Sequence, residues 1–245
     1  MTITLFKDER ALARALALQI ASTLQARPET VLGLPTGRTP IRLYHELGTL
    51  HAHGQASFFR ATTFNLDEFL GIGPDHPGSY RAFMEQHLFS RVNLSADRIN
   101  VLNGAAPDPE RECERYETAI AAAGGIDLQL LGIGTNGHIG FNEPARELAG
   151  RTHRVTLTRS TRRSNAALFG GDADRVPREA LSMGIGTILH ARRIVLVATG
   201  AKKAECIRQS VNGRITTRVP ASMLQVHMAV ELLLDREAAS RITPA

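Results

Sequence analysis

Short apolar runs that end in tight polar turns and lead into amphipathic helices recur along almost the whole chain, and this alternation restricts the fold more than any other feature. Residues 2–6, 30–34, 61–66, 128–133, 193–199 and 230–234 read as strands, several of them apolar throughout, as strands covered on both faces are. Residues 8–25, 41–50, 79–89, 109–123 and 201–212 carry helical periodicity between them. Strands that alternate with helices argue for parallel pairing, because parallel neighbours need a crossover connection and a helix supplies it. The pattern predicts an α/β fold: a Rossmann-like open, mostly parallel sheet flanked by helices. Ligands of such sheets sit beyond the carboxyl ends of the strands. Residues 151–158 read as an exposed strand and 160–169 as a short helix. The stretch 157–178, rich in Arg, Ser and Gly, suits a lid over a site or a plain surface excursion.

At 245 residues the chain is read as one domain, 1–245, without internal repeats or linkers. Its 43% hydrophobic and 22% charged residues suit a soluble globular protein, and no apolar run approaches a membrane span. The first residues lack a basic start, an apolar core and a small-residue cleavage site, so a cytoplasmic location is expected. Cys113 and Cys206 lie in helical patterns without metal-ligand spacing and are expected to be free thiols. The net charge of +5 comes from scattered basic residues, and with no Trp and three Tyr there is little for nucleic-acid bases to stack on. A mildly basic surface that attracts a small anionic substrate accounts for the charge.

Four strand ends carry chemistry. Residues 130–144, LLGIGTNGHIGFNEP, place an amide, an imidazole and a carboxylate (Asn136, His138 and Glu143) on glycine-rich turns after a buried strand. A histidine there can move protons near neutral pH, and a carboxylate beside it can hold its tautomer. Residues 32–40, LGLPTGRTP, run from strand through turn to helix and offer backbone N–H groups, the hydroxyls of Thr36 and Thr39, and Arg38: an anion site or an ordinary turn. Residues 64–80, FNLDEFLGIGPDHPGSY, put Asp67 and Glu68 at a strand end, where a desolvated carboxylate can act as a base towards carbon; a metal ligand pair, an N-cap and a surface charge are the other readings. A fourth turn, VATGAKKAE, opens a helix with Lys202 and Lys203, which suits phosphate or a solvated lysine pair.

In this order LGLPTGRTP, FNLDEF with HPGSYRAFM, GIGTNGHIGFNEP, RTHRVTLT, PREALSMGIGTIL and PASMLQVH resemble the glucosamine-6-phosphate deaminase family, in the superfamily that includes 6-phosphogluconolactonases. The likeness covers nearly the whole chain, and the DEF/HPGSY combination separates deaminases from lactonases. It implies conversion of glucosamine 6-phosphate and water to fructose 6-phosphate and ammonia, in amino sugar catabolism, with no metal or organic cofactor. It makes Asp67 the base at C2 and C1 and His138 the acid/base that opens the ring at O5. Glu143 and Asn136 then position His138, and Lys203 binds phosphate beside the turn of Thr36, Gly37, Arg38 and Thr39.

Two departures stand out. Asn136 replaces an aspartate common in the family, and Ala167 stands where the lid usually presents an arginine to the phosphate. Arg38, Arg162 and Arg163 are candidates to compensate. His153 and Val155 replace basic residues of the allosteric members, so the resemblance is to shorter members, some of them monomeric; monomer and homo-oligomer both remain open. A deaminase of another amino sugar phosphate such as galactosamine 6-phosphate is the nearest rival, ahead of a 6-phosphogluconolactonase and a non-catalytic sugar-phosphate sensor. Neither nucleic acid nor a membrane is expected as a partner.

Overall fold

The computed structural model describes residues 1–242. Its strands are β1 (Thr2–Phe6), β2 (Val31–Leu34), β3 (Thr62–Asn65), β4 (Asp67–Phe69), β5 (Ile99–Asn100), β6 (Leu128–Leu131), β7 (His153–Thr156), β8 (Glu179–Ser182), β9 (Arg193–Ala198) and β10 (Val230–Asp235). The α-helices are α1 (Glu9–Ala26), α2 (Ile41–Ala52), α3 (Tyr80–His87), α4 (Pro109–Ala122), α5 (Arg159–Asn165), α6 (Ile185–Leu189) and α7 (Ala204–Asn212). Seven strands form one sheet in the order β1-β10-β9-β6-β2-β3-β5, and every pairing in it is parallel.

Alternating side chains of these strands feed two cores, as the period-2 geometry of a strand requires. Leu32, Leu34, Leu128, Leu130, Val195 and Leu233 pack under α1, α2 and α3. Val31, Phe64, Leu131, Ile194, Leu196 and Leu232 face α4, α6 and α7. Local chemistry marks several helix starts: Asp8 accepts from Ala11 N, Ser79 from Ala82 N, and Asp108 from Arg111 N ahead of Pro109. The strand order reverses between β2 and β6. Their carboxyl ends diverge there, leaving the crevice that ligands of doubly wound sheets occupy.

The parallel sheet agrees with the alternation of the sequence, but a second sheet was not anticipated. β4, β8 and β7 form an antiparallel ribbon beyond the carboxyl ends of the main strands, with Asp67 opposite Ser182. The apolar run 61–66 therefore does not merely stop at Asp67; it changes sheets. Its hydrogen bonds show the change, because Leu66 N donates to Leu34 O (3.3 Å) and Leu66 O accepts from Met183 N (2.7 Å). β5, β8 and α6 also went unread, being two, four and five residues long.

Residues 157–178 fold as a cap with a small core of its own. Phe69, Tyr80, Phe141, Leu157, Phe169 and Val176 are buried together, and the Phe69 ring lies 4.7 Å from Tyr80, 5.7 Å from Phe141 and 5.3 Å from Phe169. Phe169 seats against Gly78, where a Cβ would stand 2.6 Å from its ring. Among the described residues no helix is long and apolar enough to cross a membrane. Phe169→Ala should empty this small core at a cost of about 3 kcal/mol, lowering Tm by roughly 6–12 °C and exposing residues 159–178 to limited proteolysis; wild-type Tm and protection would show that the cap is held elsewhere.

Candidate active site

Four adjacent strands deliver the candidate residues to one edge of the sheet: β3 leads to Asp67, β2 to residues 36–39, β6 to the His138 loop and β9 to Lys203. The loop after β6 is shaped around the histidine ring. A Cβ on Gly134 would stand 2.3–2.5 Å from ring atoms of His138, so only glycine lets the imidazole lie across the turn. Gly140 has φ +58, and a Cβ there would approach Ser182 Oγ to 3.1 Å and Asp67 Oδ2 to 3.7 Å. The loop thus passes beside Asp67, joining the two segments that the sequence separates by about seventy residues. Phe141 N donates to Ser182 Oγ (3.1 Å) and Asn142 Nδ2 to Ile139 O and Met183 O (2.9 and 2.8 Å), which fastens this end of the loop to β8.

Glu143 is the hub of the loop. Asn136 Nδ2 donates to Glu143 Oε2 (2.7 Å), the Thr161 hydroxyl donates to Oε1, and His138 Nδ1 stands 3.5 Å from Oε2. Asn136 Oδ1 also accepts from the His138 backbone N–H (3.2 Å). Burial pushes the Glu143 carboxyl up, but adjacent His138, then Thr161 and Asn136, outweigh it and hold it at about 2. Asn136 therefore acts on the carboxylate that faces the imidazole, a role an amide fills without charge.

Asp67 lies in the opposite environment. It is 6% exposed, and burial first, then the charge of Glu68, push its carboxyl up to about 8. Glu68 is turned elsewhere: its carboxylate accepts from Phe69 N (2.8 Å) and from Tyr80 N and Arg81 N (both 2.9 Å), at the start of α3. Of the readings left open for this acidic pair, Glu68 takes the helix cap and Asp67 the crevice.

The turn after β2 leads into α2 without a side-chain cap, so backbone N–H groups at that helix start have no side-chain acceptor. Thr36 lies near the Tyr80 hydroxyl, which donates to Asn165 Oδ1 of the cap (3.1 Å). Arg38 is exposed, whereas Thr39 borders a cavity of about 20 Å³ between α1, α2 and the sheet. Lys203 ends a 3₁₀ turn ahead of α7, and its half-buried ammonium donates to Ile133 O (2.5 Å), tying β9 to the His138 loop. Arg162 points into the cap, donating to Ala173 O (3.2 Å) and pairing with Asp174 (3.6 Å); Ala167 and Arg163 are exposed. Sequence reasoning missed Tyr80 and Thr161. Ser79 announced α3, but no local signal says what a tyrosine or a cap threonine will touch.

Comparison with known proteins places this geometry. Residues 7–232 match the family model for glucosamine-6-phosphate isomerases/6-phosphogluconolactonase. The chain is 46% identical over 240 residues to glucosamine-6-phosphate deaminase of Halothermothrix orenii, covering 98% of this chain and 99% of that one. It is 46% identical over 246 residues to glucosamine-6-phosphate deaminase 2 of Bacillus subtilis, covering 100% and 99%. A solved monomeric glucosamine-6-phosphate deaminase superposes with a TM-score of 0.95 at 44% identity, covering 98% of this chain and 100% of that one. A 6-phosphogluconolactonase from Thermotoga maritima shares the fold at a TM-score of 0.75 and 18% identity, covering 96% and 99%. The chain belongs to the glucosamine-6-phosphate isomerase/6-phosphogluconolactonase family.

Proposed function

We infer that this chain is a glucosamine-6-phosphate deaminase, an enzyme that converts glucosamine 6-phosphate and water to fructose 6-phosphate and ammonia. One observation carries the reading: a buried, basic carboxylate, Asp67, beside a loop that holds a separate proton shuttle, His138. A lactonase needs water attack on an ester and no base for carbon, so Asp67 would have no task there. Both free cysteines, Cys113 and Cys206, are buried, which suits a reducing compartment such as the cytoplasm.

The residues divide the work as follows. His138 moves a proton from the C1 hydroxyl to O5, which breaks the C1–O5 bond and leaves an aldehyde at C1. Glu143, fixed by Asn136 and Thr161, orients the imidazole. Asp67 then takes the C2 proton, now acidic because it is alpha to the carbonyl, and returns it to C1. The electron pair of the C2–H bond forms the C1=C2 bond while the carbonyl π pair moves to O1, which takes up a proton from solvent. When C1 is protonated the C1=C2 pair becomes the new C1–H bond, and the lone pair of the neutral amine forms the C2=N bond of an iminium. Water adds to C2, ammonia departs, and the C2 ketone of fructose 6-phosphate remains. A carboxylate titrating at about 8 is a far stronger base than one in water, which a carbon acid requires. The phosphate is held by the N–H groups of the 36–39 turn, the Thr36 hydroxyl, Lys203 and Arg38. Arg162 is committed inside the cap, and Ala167 has nothing to donate.

Purified protein should release ammonia and form fructose 6-phosphate from glucosamine 6-phosphate, with galactosamine 6-phosphate as the comparison substrate. Ammonia from neither sugar overturns the assignment. Asp67→Asn should lower kcat by about 10²–10⁴-fold, the usual worth of a general base; unchanged turnover would remove Asp67 from its role. Because Asp67 works ionised, kcat/KM should rise with pH up to a limb near 8, and a flat profile across that range contradicts the assignment. Arg38→Ala should raise KM about 10–100-fold with kcat held, as loss of one charge-assisted phosphate contact does; an unchanged KM would exclude Arg38 from phosphate binding.

A further inference from the structure

We propose that Glu68 is a positioning residue for this reaction: clasped by the start of α3, its carboxylate holds Asp67 in the crevice and keeps it basic enough to take a proton from carbon. The proposal rests on the deaminase reading for its chemistry and on the geometry of β4 for its physics. Asp67 and Glu68 are neighbours on a strand, so their side chains leave opposite faces. Both are buried, at 6% and 2% exposure. Two adjacent buried carboxylates are costly, and the structure treats them unequally.

Glu68 receives three backbone N–H groups, two of them donors that α3 itself cannot use. The positive end of the helix favours its charge further. Asp67 has no comparable set among the described residues. The groups whose titration senses it are Tyr44 of α2, Tyr80 of α3 and Tyr116 of α4. Their hydroxyls donate to Pro35 O, Asn165 Oδ1 and Asn65 O, respectively. Ser182, opposite Asp67 on β8, donates to Met183 O. The charged side chains that share a cavity wall with Glu68 are Asp75, Arg81 and Glu85. Burial lifts Glu68 to about 7 against the pull of its three N–H donors. With three N–H donors on Glu68 and no comparable set on Asp67, the charge settles on Glu68 first, and that charge raises the cost of ionising Asp67, making it a stronger base.

A cap alone would not call for a buried charge. Ser79 already caps α3 by accepting from Ala82 N (3.0 Å), and a neutral side chain at position 68 could accept from the same helix start. The residue next to the base is nonetheless an acid.

The test compares wild type, Glu68→Gln and Ser79→Ala, the last weakening the same helix start without touching charge. In Glu68→Gln the acid limb of kcat/KM should move down by about one pH unit, since a like charge beside Asp67 is gone. Plateau kcat should fall several-fold with KM nearly unchanged, because a less basic carboxylate removes the carbon proton more slowly. Ser79→Ala should lower Tm and leave the limb in place. A Glu68→Gln limb that coincides with wild type, with Tm lowered as in Ser79→Ala, reduces Glu68 to a cap and overturns the proposal.

Unfolding measured against pH reads the same titration without activity. Asp67 has a folded value of about 8 against 3.8 in the unfolded chain. Its protonated form contributes stability that is full below the unfolded value and lost as pH rises through the folded one. Glu68, raised to about 7, adds a loss of its own, so the part that belongs to Asp67 is read as the difference between each protein and its Asp67→Asn counterpart. That difference should shift to lower pH in the Glu68→Gln background; a difference that keeps its wild-type pH range there overturns the proposal. If wild type releases no ammonia, the deaminase reading fails while this measurement still decides the role of Glu68. Should Glu68→Gln not fold, Glu68→Asp retains the charge and is expected to keep the wild-type limb; a limb lowered by one unit there overturns the proposal.

Discussion

Leu66 joins two sheets through one peptide unit on each side, and the placement of Asp67 depends on that join. Its N–H continues the parallel sheet at Leu34 O, and its carbonyl closes onto Met183 N beside the antiparallel ribbon. Backbone groups at such a crossing must be paired once water is excluded, so the crossing is specified to within a residue. The next residue is Asp67, which the change of sheet drives under β8 and against the loop at Gly140. Had the strand simply ended, a carboxylate at that position would face water and titrate like any exposed aspartate.

Burial acts on two carboxylates of the crevice with opposite results. Glu143 is supplied with a hydroxyl, an amide and an imidazole and remains an anion to about 2; Asp67 is supplied with none of these and holds its proton to about 8. One stays an anion beside His138 and the other keeps its proton into the mildly basic range. The difference lies in the donors each meets, since desolvation alone would raise both. The cap contributes to both settings: Thr161 bonds Glu143, and Asn165 accepts from the tyrosine that also meets Thr36. Ordering of the cap is thus coupled to Glu143 beside the imidazole on one side and to the 36–39 turn on the other.

Much of the site was legible before the fold. Asn136, His138 and Glu143 lie within eight residues on a turn whose glycines announce close packing, and the structure brings all three together. The turn at 36–39 and Lys203 follow strands that prove to be neighbours of β6 in the sheet. Three aspects escaped. The family likeness singled out Asp67, but the clasp of Glu68 by the start of α3, twelve residues further on, left no local trace. The antiparallel ribbon escaped because β8 is four residues long and can pair only where β4 and β7 present their edges. The inward turn of Arg162 depended on where the cap places Asp174 and the carbonyl of Ala173.

The amino-acid sequence by itself determined the layers, the strand ends that carry chemistry and the family, because hydrophobic period, glycine and capping residues act over a few neighbours along the chain. Only the tertiary structure decided which carboxylate is buried without donors, what stands against the imidazole and which arginine is turned into the cap. Those outcomes depend on desolvation and on donors from distant segments, and neither is a property of a residue until the chain has folded around it.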